Sequence, residues 1–138
     1  MAVFLDTNVL IYSISTAGDQ ADKREKALVL LDRTDCVLSV QVLQEFYVQA
    51  TRPSRDGALT HHVAAGMIEA LGRFRIQDNT VDVLQLALDI REKTGFSFWD
   101  CTIVAAAQIS GCEQLYSEDL SSGRQINGVL VVNPFVNS

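Results

Sequence analysis

Histidine, paired cysteine and positive charge are what this 138-residue chain has little of. Its two histidines, His61 and His62, are adjacent, so they point in different directions and give no zinc site. The three cysteines, Cys36, Cys101 and Cys112, show no CxxC spacing and no nearby histidine. Scattered within apolar segments, they read as small core residues. No GxGxxG or P-loop is present, which disfavours a nucleotide cofactor. No apolar run approaches the roughly 18 residues of a membrane span. Met1 opens almost directly onto a strand, so no signal peptide is expected and the protein is expected in the cytoplasm. Eleven basic residues against 17 acidic ones give a net charge of −6. That balance disfavours tight nonspecific binding to nucleic acid, which depends on cations neutralising phosphates. It still permits a nucleic acid substrate held through metal ions, and it favours a basic protein partner.

Hydrophobic residues make up 48% of the chain, enough for a full core without disulfides. With no repeat, low-complexity tract or shift in composition, one domain is expected over 1–138. Strands are expected at "AVFLD" (2–6), "CVLS" (36–39), "FRIQ" (74–77), "QLYS" (114–117) and "GVLVV" (128–132). Helices are expected at 21–34, 40–50, 60–73, 80–94 and 98–110, with a further helix-compatible run directly after Asp6. The Pro53 region and Gly57 stop the helix at 40–50, and Gly95 and Gly111 close the last two. Alternation on this scale implies parallel βαβ units: a three-layer α/β/α sandwich around a small, mostly parallel five-stranded sheet.

In such sheets ligands gather beyond the carboxyl ends of the strands, where the strand order reverses. Four acids occupy comparable positions. Asp6 follows the first strand, Glu45 lies in the helix after "CVLS", Asp100 stands in the first turn of "FWDCTIVAAA", and Asp119 lies just past "QLYS". Crowded carboxylates repel, so they need shared protons or a divalent cation, and hard oxygen donors suit Mg²⁺ or Mn²⁺. Each acid also has a plainer reading. Asp6 can N-cap the following helix, Asp100 can close a capping box with Ser97, and Asp119 can form a turn. On a helical wheel Glu45 lies opposite the Leu43, Phe46, Tyr47, Ala50 stripe, where a solvated face is the default, although Val42 and Val48 flank it.

Four segments, "FLDTNVLIY", "SVQVLQEFY", "FWDCTIVAAA" and "LYSEDL", with a closing "VVNPF", resemble the PIN-domain ribonucleases. They are most similar to the VapC-type toxins of bacterial toxin–antitoxin pairs, in family order and over nearly the whole chain. The resemblance implies that Asp6, Glu45, Asp100 and Asp119 are the catalytic acids and bind Mg²⁺ or Mn²⁺. It implies supporting roles for Asn8, the polar residue after the first acid, and for Ser117, the small hydroxyl before the last. The implied reaction is hydrolysis of RNA phosphodiesters. The implied partners are an RNA substrate, a cognate antitoxin that reaches into the acid cleft, and a second copy in a homodimer. Two rivals are a non-catalytic nucleic-acid-binding module on the same scaffold and a metal-dependent phosphatase. "DTN" lacks the second aspartate two residues on that haloacid-dehalogenase-type phosphatases carry, and binding alone would not require four carboxylates.

Arg52, Arg55 and Arg124 lie on loops near these motifs. They read either as contacts to RNA phosphates or antitoxin, or as ordinary solvated arginines. Trp99 could stack on a base, but an aromatic in this setting is more often core. Glu118, beside Asp119, is expected on the surface.

Overall fold

Three apolar residues, Val3–Leu5, form β1 and are all buried, so a layer of side chains covers each face of the strand. The computed structural model describes residues 2–120 and 122–136. Met1, Ser121, Asn137 and Ser138, all within the expected 1–138 domain, lie outside them. Asp6 ends β1 in extended conformation and caps helix α1 (Thr7–Ser13). A 3₁₀ turn at Gly18–Gln20 leads into α2 (Ala21–Leu31), then β2 (Cys36–Ser39). Helix α3 (Val40–Ala50) follows β2 with no loop, its start capped by the Ser39 hydroxyl, which accepts from the Val42 N–H at 3.2 Å.

Next come α4 (His61–Leu71), β3 (Arg75–Gln77), α5 (Val81–Thr94) and α6 (Phe98–Ile109). Thr60, Thr80 and Ser97 cap these three helices in the same way, each accepting from the N–H three residues on. The chain finishes with β4 (Gln114–Tyr116), β5 (Gln125–Ile126) and β6 (Val129–Val132). Helix α2 stops at Leu31, short of the expected Thr34, because the chain must turn there to bring Asp35 alongside Val3, whose N–H it accepts at 3.1 Å.

The sheet has six strands rather than five, in the order β3-β2-β1-β4-β6-β5. All neighbours are parallel except β5 and β6, which pair antiparallel. The extra strand is two residues long, too short to show an alternating pattern. Its signal was the turn: Asn127 and Gly128 both take positive φ (50° and 83°), the geometry of a two-residue hairpin. The Asn-Gly pair was therefore the readable mark of β5.

Helix α1 packs on α2 and α3, α3 on α4, and α5 on α6, while α6 lies against β2, β4 and β6. Every residue of α6 from Cys101 to Ala107 is buried, and its small Ala105–Ala107 run lets the helix approach the sheet closely. All three cysteines are buried and unbridged, as expected. From β1 the chain steps to β2 and β3 on one side, then returns to place β4 on the other. The order thus reverses between β1 and β4. The register pairs Leu5 with Tyr116, so the residues that follow, Asp6 and Ser117, emerge side by side at the carboxyl rim.

Candidate active site

Asp6 is a carboxylate with only 8% of its surface exposed. It is fixed by the backbone that delivers it: its N–H bonds the Tyr116 carbonyl across the sheet at 3.0 Å. Its Oδ1 accepts from the Thr7 N–H at 2.7 Å, which also makes it the α1 N-cap, so the capping and the catalytic readings of Asp6 are compatible. Its Oδ2 accepts from the Ser117 hydroxyl at 2.8 Å. Burial pushes its pKa from 3.8 up to about 6. The Ser117 and Thr7 hydrogen bonds pull it down, and the charges of Glu45 and Asp119 push it further up.

Around Ser117 the chain builds a tight turn. Ser117 Oγ accepts from the N–H groups of Asp119 (3.2 Å) and Leu120 (3.4 Å). Asn8 reaches across from α1: its Nδ2 donates to Asp119 Oδ2 at 3.2 Å and lies 3.3 Å from Ser117 Oγ, and its Oδ1 accepts from the Glu118 N–H at 3.3 Å. Asn8 and Ser117 therefore tie the first and last acids together.

Glu45 comes from α3 and Asp100 from the first turn of α6. The Glu45 carboxylate accepts from the Thr7 hydroxyl at 3.0 Å and lies 3.5 Å from Gln41 Nε2. Burial raises its pKa above the usual carboxylate range, the Thr7 and Gln41 bonds offset part of this, and the Asp100 charge adds to it. Gln41, itself buried, links the two helices. Its amide nitrogen donates to the Trp99 carbonyl at 3.3 Å, and its amide oxygen accepts from the Thr102 hydroxyl. Asp100 is held through its backbone, its N–H donating to Ser97 Oγ at 3.2 Å.

All four acids line one cleft of about 250 Å³, together with Thr7, Asn8, Tyr12, Gln49, Arg55, Trp99 and Glu118 among others. The wheel reading of Glu45 as solvated does not hold. Gln41, Glu45 and Gln49 recur at i, i+4, i+8 and form a polar stripe that borders the cleft, a pattern readable in the sequence. Trp99 is not core: 64% of it is exposed, because the buried face of α6 begins at Cys101 and the first turn projects past it. Glu118 is not free on the surface either. It is half-buried in the cleft wall, ion-paired to Lys23 at 2.6 Å and hydrogen-bonded by the Tyr12 hydroxyl, and Lys23 lies 4.9 Å from the Tyr12 ring centre. Thr7, Tyr12, Gln41 and Thr102 lie within the segments that carry the family resemblance but have no role assigned there, Lys23 lies outside them, and all five enter through these contacts.

The three arginines separate. Arg55 lines the acid cleft. Arg52 borders an adjoining groove with Gln44, Val48 and Trp99. Arg124 lies over the Phe96 ring, 4.8 Å from its centre. His61 bonds the Tyr47 hydroxyl at 2.9 Å, and neither histidine is in the cleft.

The donor chemistry fits a hard divalent cation, since the cleft offers carboxylate, hydroxyl and amide oxygens and no sulfur or imidazole. Among the described residues, no three His, Cys, Asp or Glu side chains close around a common point. The acids surround one space: burial is the main reason the pKa values of Asp6 and Glu45 are raised, and the neighbouring carboxylates add to it.

The fold is an α/β domain with a carboxylate-lined cleft at the point where the strand order of its mostly parallel sheet reverses. The family model for the PIN domain matches residues 3–121, and the chain belongs to that family. No match is found among curated protein sequences. Three solved structures share the fold. A toxin–antitoxin complex from Klebsiella pneumoniae has a TM-score of 0.71 and 24% identity, covering 97% of this chain and 98% of that one. The Mycobacterium tuberculosis VapC20, a sarcin–ricin loop-cleaving toxin, has a TM-score of 0.65 and 20% identity over 86% and 90%. VapBC2 from Rickettsia felis, bound to a promoter DNA fragment, has a TM-score of 0.65 and 19% identity over 95% and 97%.

Proposed function

We propose that this protein is a divalent-metal-dependent endoribonuclease, the toxin of a toxin–antitoxin pair. The observation that carries the reading is the convergence of Asp6, Glu45, Asp100 and Asp119 on one cleft, with the first and last acids locked together by Ser117 and Asn8. Membership of the PIN family and the fold shared with VapC20 agree with it.

Asp6, Glu45, Asp100 and Asp119 would hold Mg²⁺ or Mn²⁺. When bound, such an ion activates water and neutralises charge on the phosphoryl oxygens. The chain's own part is positioning. Ser117 and the Thr7 amide each occupy one oxygen of Asp6, leaving the remaining lone pairs for the cleft. Thr7 aims Glu45, and Gln41 sets the distance between Glu45 and the first turn that carries Asp100. Lys23 neutralises Glu118, which the Tyr12 hydroxyl also hydrogen-bonds, so a fifth carboxylate adds little to the repulsion.

The partners follow from the same reading: an RNA substrate, an antitoxin that silences the cleft, and a second copy of the chain. Val81, Leu84 and Leu88, exposed along one face of α5, are apolar surface on which a second copy would pack. Among the described residues no helix is long and apolar enough to cross a membrane.

The test offers the purified chain structured RNA, single-stranded DNA and a phosphomonoester, each with Mg²⁺ or with chelator. Cleavage of RNA that vanishes in chelator and in Asp6→Asn is the expected result. Turnover of the phosphomonoester alone would point to a phosphatase, and RNA retention without cleavage to a binding module. Growth arrest on expression, absent for Asp6→Asn, tests the toxin role.

A further inference from the structure

Arg55 is the one basic side chain among the residues that line the acid cleft. It forms no ion pair among the described residues, although four carboxylates border the same space. Its Nε is buried and has no hydrogen-bond partner. A buried guanidinium N–H without an acceptor is costly, and native structures rarely leave one without a reason.

The loop carrying Arg55 is held in place rather than merely exposed. It folds back on the end of α3, with the Leu59 N–H bonding the Ala50 carbonyl at 2.8 Å. Within it, the Arg55 N–H bonds the Arg52 carbonyl at 3.0 Å, and the Ala58 N–H bonds the Arg55 carbonyl at 3.1 Å. Gly57 takes φ +72° against Thr16, just beyond α1. A Cβ there would sit 2.9 Å from Thr16 Oγ1, so only glycine lets the loop close this near.

We propose that Arg55 is the phosphate-binding residue of the cleft, its guanidinium taking a backbone phosphate oxygen of RNA laid across the four acids. The proposal rests on the ribonuclease reading above. A phosphodiester chain approaching so many carboxylates needs a fixed cation, and an arginine fork suits phosphate oxygens better than a point charge does. Cations held by the four acids would neutralise them, and Arg55 would then be the fixed side-chain cation lining the cleft that an RNA phosphate meets. Of the other two arginines, Arg52 lines an adjoining groove that shares Glu45, Gln49 and Trp99 with the cleft, and Arg124 lies over the Phe96 ring.

The test measures cleavage kinetics with Mg²⁺ for wild type, Arg55→Gln, Arg55→Lys, Gly57→Ala and Arg124→Gln. It also measures binding of a short single-stranded RNA to the same set in an Asp6→Asn background. Arg55→Gln is expected to raise KM and weaken RNA binding about tenfold, with kcat little changed, as loss of one charge-assisted phosphate contact implies. The slope of log affinity against log salt should become shallower by about 0.7, one phosphate on a single strand. Arg55→Lys should recover part of the loss. Gly57→Ala should reproduce it in weaker form without touching the arginine, and Arg124→Gln should behave as wild type. Unchanged thermal melting checks that each variant folds.

Were wild type to cleave RNA while Arg55→Gln kept its KM and salt slope, the Arg55 assignment would fail and the nuclease reading would stand. Should wild type not cleave at all, the binding arm decides alone: a lost salt-dependent contact supports Arg55, and an unchanged affinity overturns it. A variant that binds RNA normally but loses a co-purifying partner protein also overturns it.

Discussion

The two halves of the acid cleft are built differently. On the sheet side, Asp6 and Asp119 are tied to each other through Ser117 and Asn8, and the backbone of each is pinned in turn. On the helix side, Glu45 and Asp100 come from α3 and α6, and one buried glutamine, Gln41, spans the gap. The sheet side is tied by several side-chain and backbone hydrogen bonds, whereas the helix side is bridged by the one glutamine. Preorganised donors act without reorganisation at the moment of reaction, so the sheet side is suited to orient the attack.

Removing an acid from either half should abolish the distinction. Asp6→Asn and Asp100→Asn are each expected to lower RNA cleavage by more than about 100-fold, since even outer partners of metal ligands are worth about 10–100-fold. A smaller loss for Asp100→Asn would place the chemistry on the sheet side alone.

Stability should move the other way for Asp6. Its folded pKa is raised to about 6 from 3.8, so the native state holds the proton more tightly than the unfolded chain does. The stability this residue contributes is full below about 3.8 and is lost as pH rises through about 6. At neutral pH the buried charge destabilises by on the order of 3 kcal/mol. In chelator at pH 7, Asp6→Asn should therefore melt higher than wild type, the gain reduced by whichever acceptor the amide forfeits. Added Mg²⁺ should stabilise wild type and not the variant. Equal melting at pH 4 and at pH 7 would count against the burial argument.

Ser117→Ala tests the tie itself. A loss of about 10–100-fold in cleavage is expected for a partner that orients a ligand. In chelator, the pH range over which stability falls should move upward, because the Ser117 hydroxyl is what most lowers the Asp6 pKa. Gln41→Ala should cost less, about tenfold, because its contact to Glu45, at 3.5 Å, is longer than that of Ser117 to Asp6, at 2.8 Å. Were Gln41→Ala the more damaging of the two, the contrast between the halves would be reversed. Lys23→Met, which releases Glu118 at the margin of the cleft, is expected to change cleavage only a few-fold, with the sharper effect at low salt.

Much of this was legible along the chain. The apolar run Val3–Leu5 ending in an aspartate, the strand "CVLS" passing straight into a helix, and the capped starts at Thr80 and Ser97 all lie where local pattern put them. The short β5 was missed because two residues cannot display a period, though Asn127–Gly128 marked its turn. The wheel reading of Glu45 and the expectations for Trp99 and Glu118 failed for one cause. A helical wheel or a neighbouring charge says which face a side chain takes, and not what another element places opposite that face.

The amino-acid sequence by itself determined which residues start and stop each element, and therefore that acids follow β1 and β4, stand midway along α3 and enter early in α6. Those outcomes depend on local sterics, capping and hydrophobic period, interactions that span only a few residues. Only the tertiary structure decided that strand order reverses between β1 and β4, bringing Asp6 beside Ser117 across 111 positions of chain. It also decided that Gln41 bridges two helices and that Arg55 lines the cleft shared by all four acids, while Arg52 lines the adjoining groove with Glu45. Such pairings are fixed by long-range packing, where the energy belongs to the contact and neither residue carries it alone.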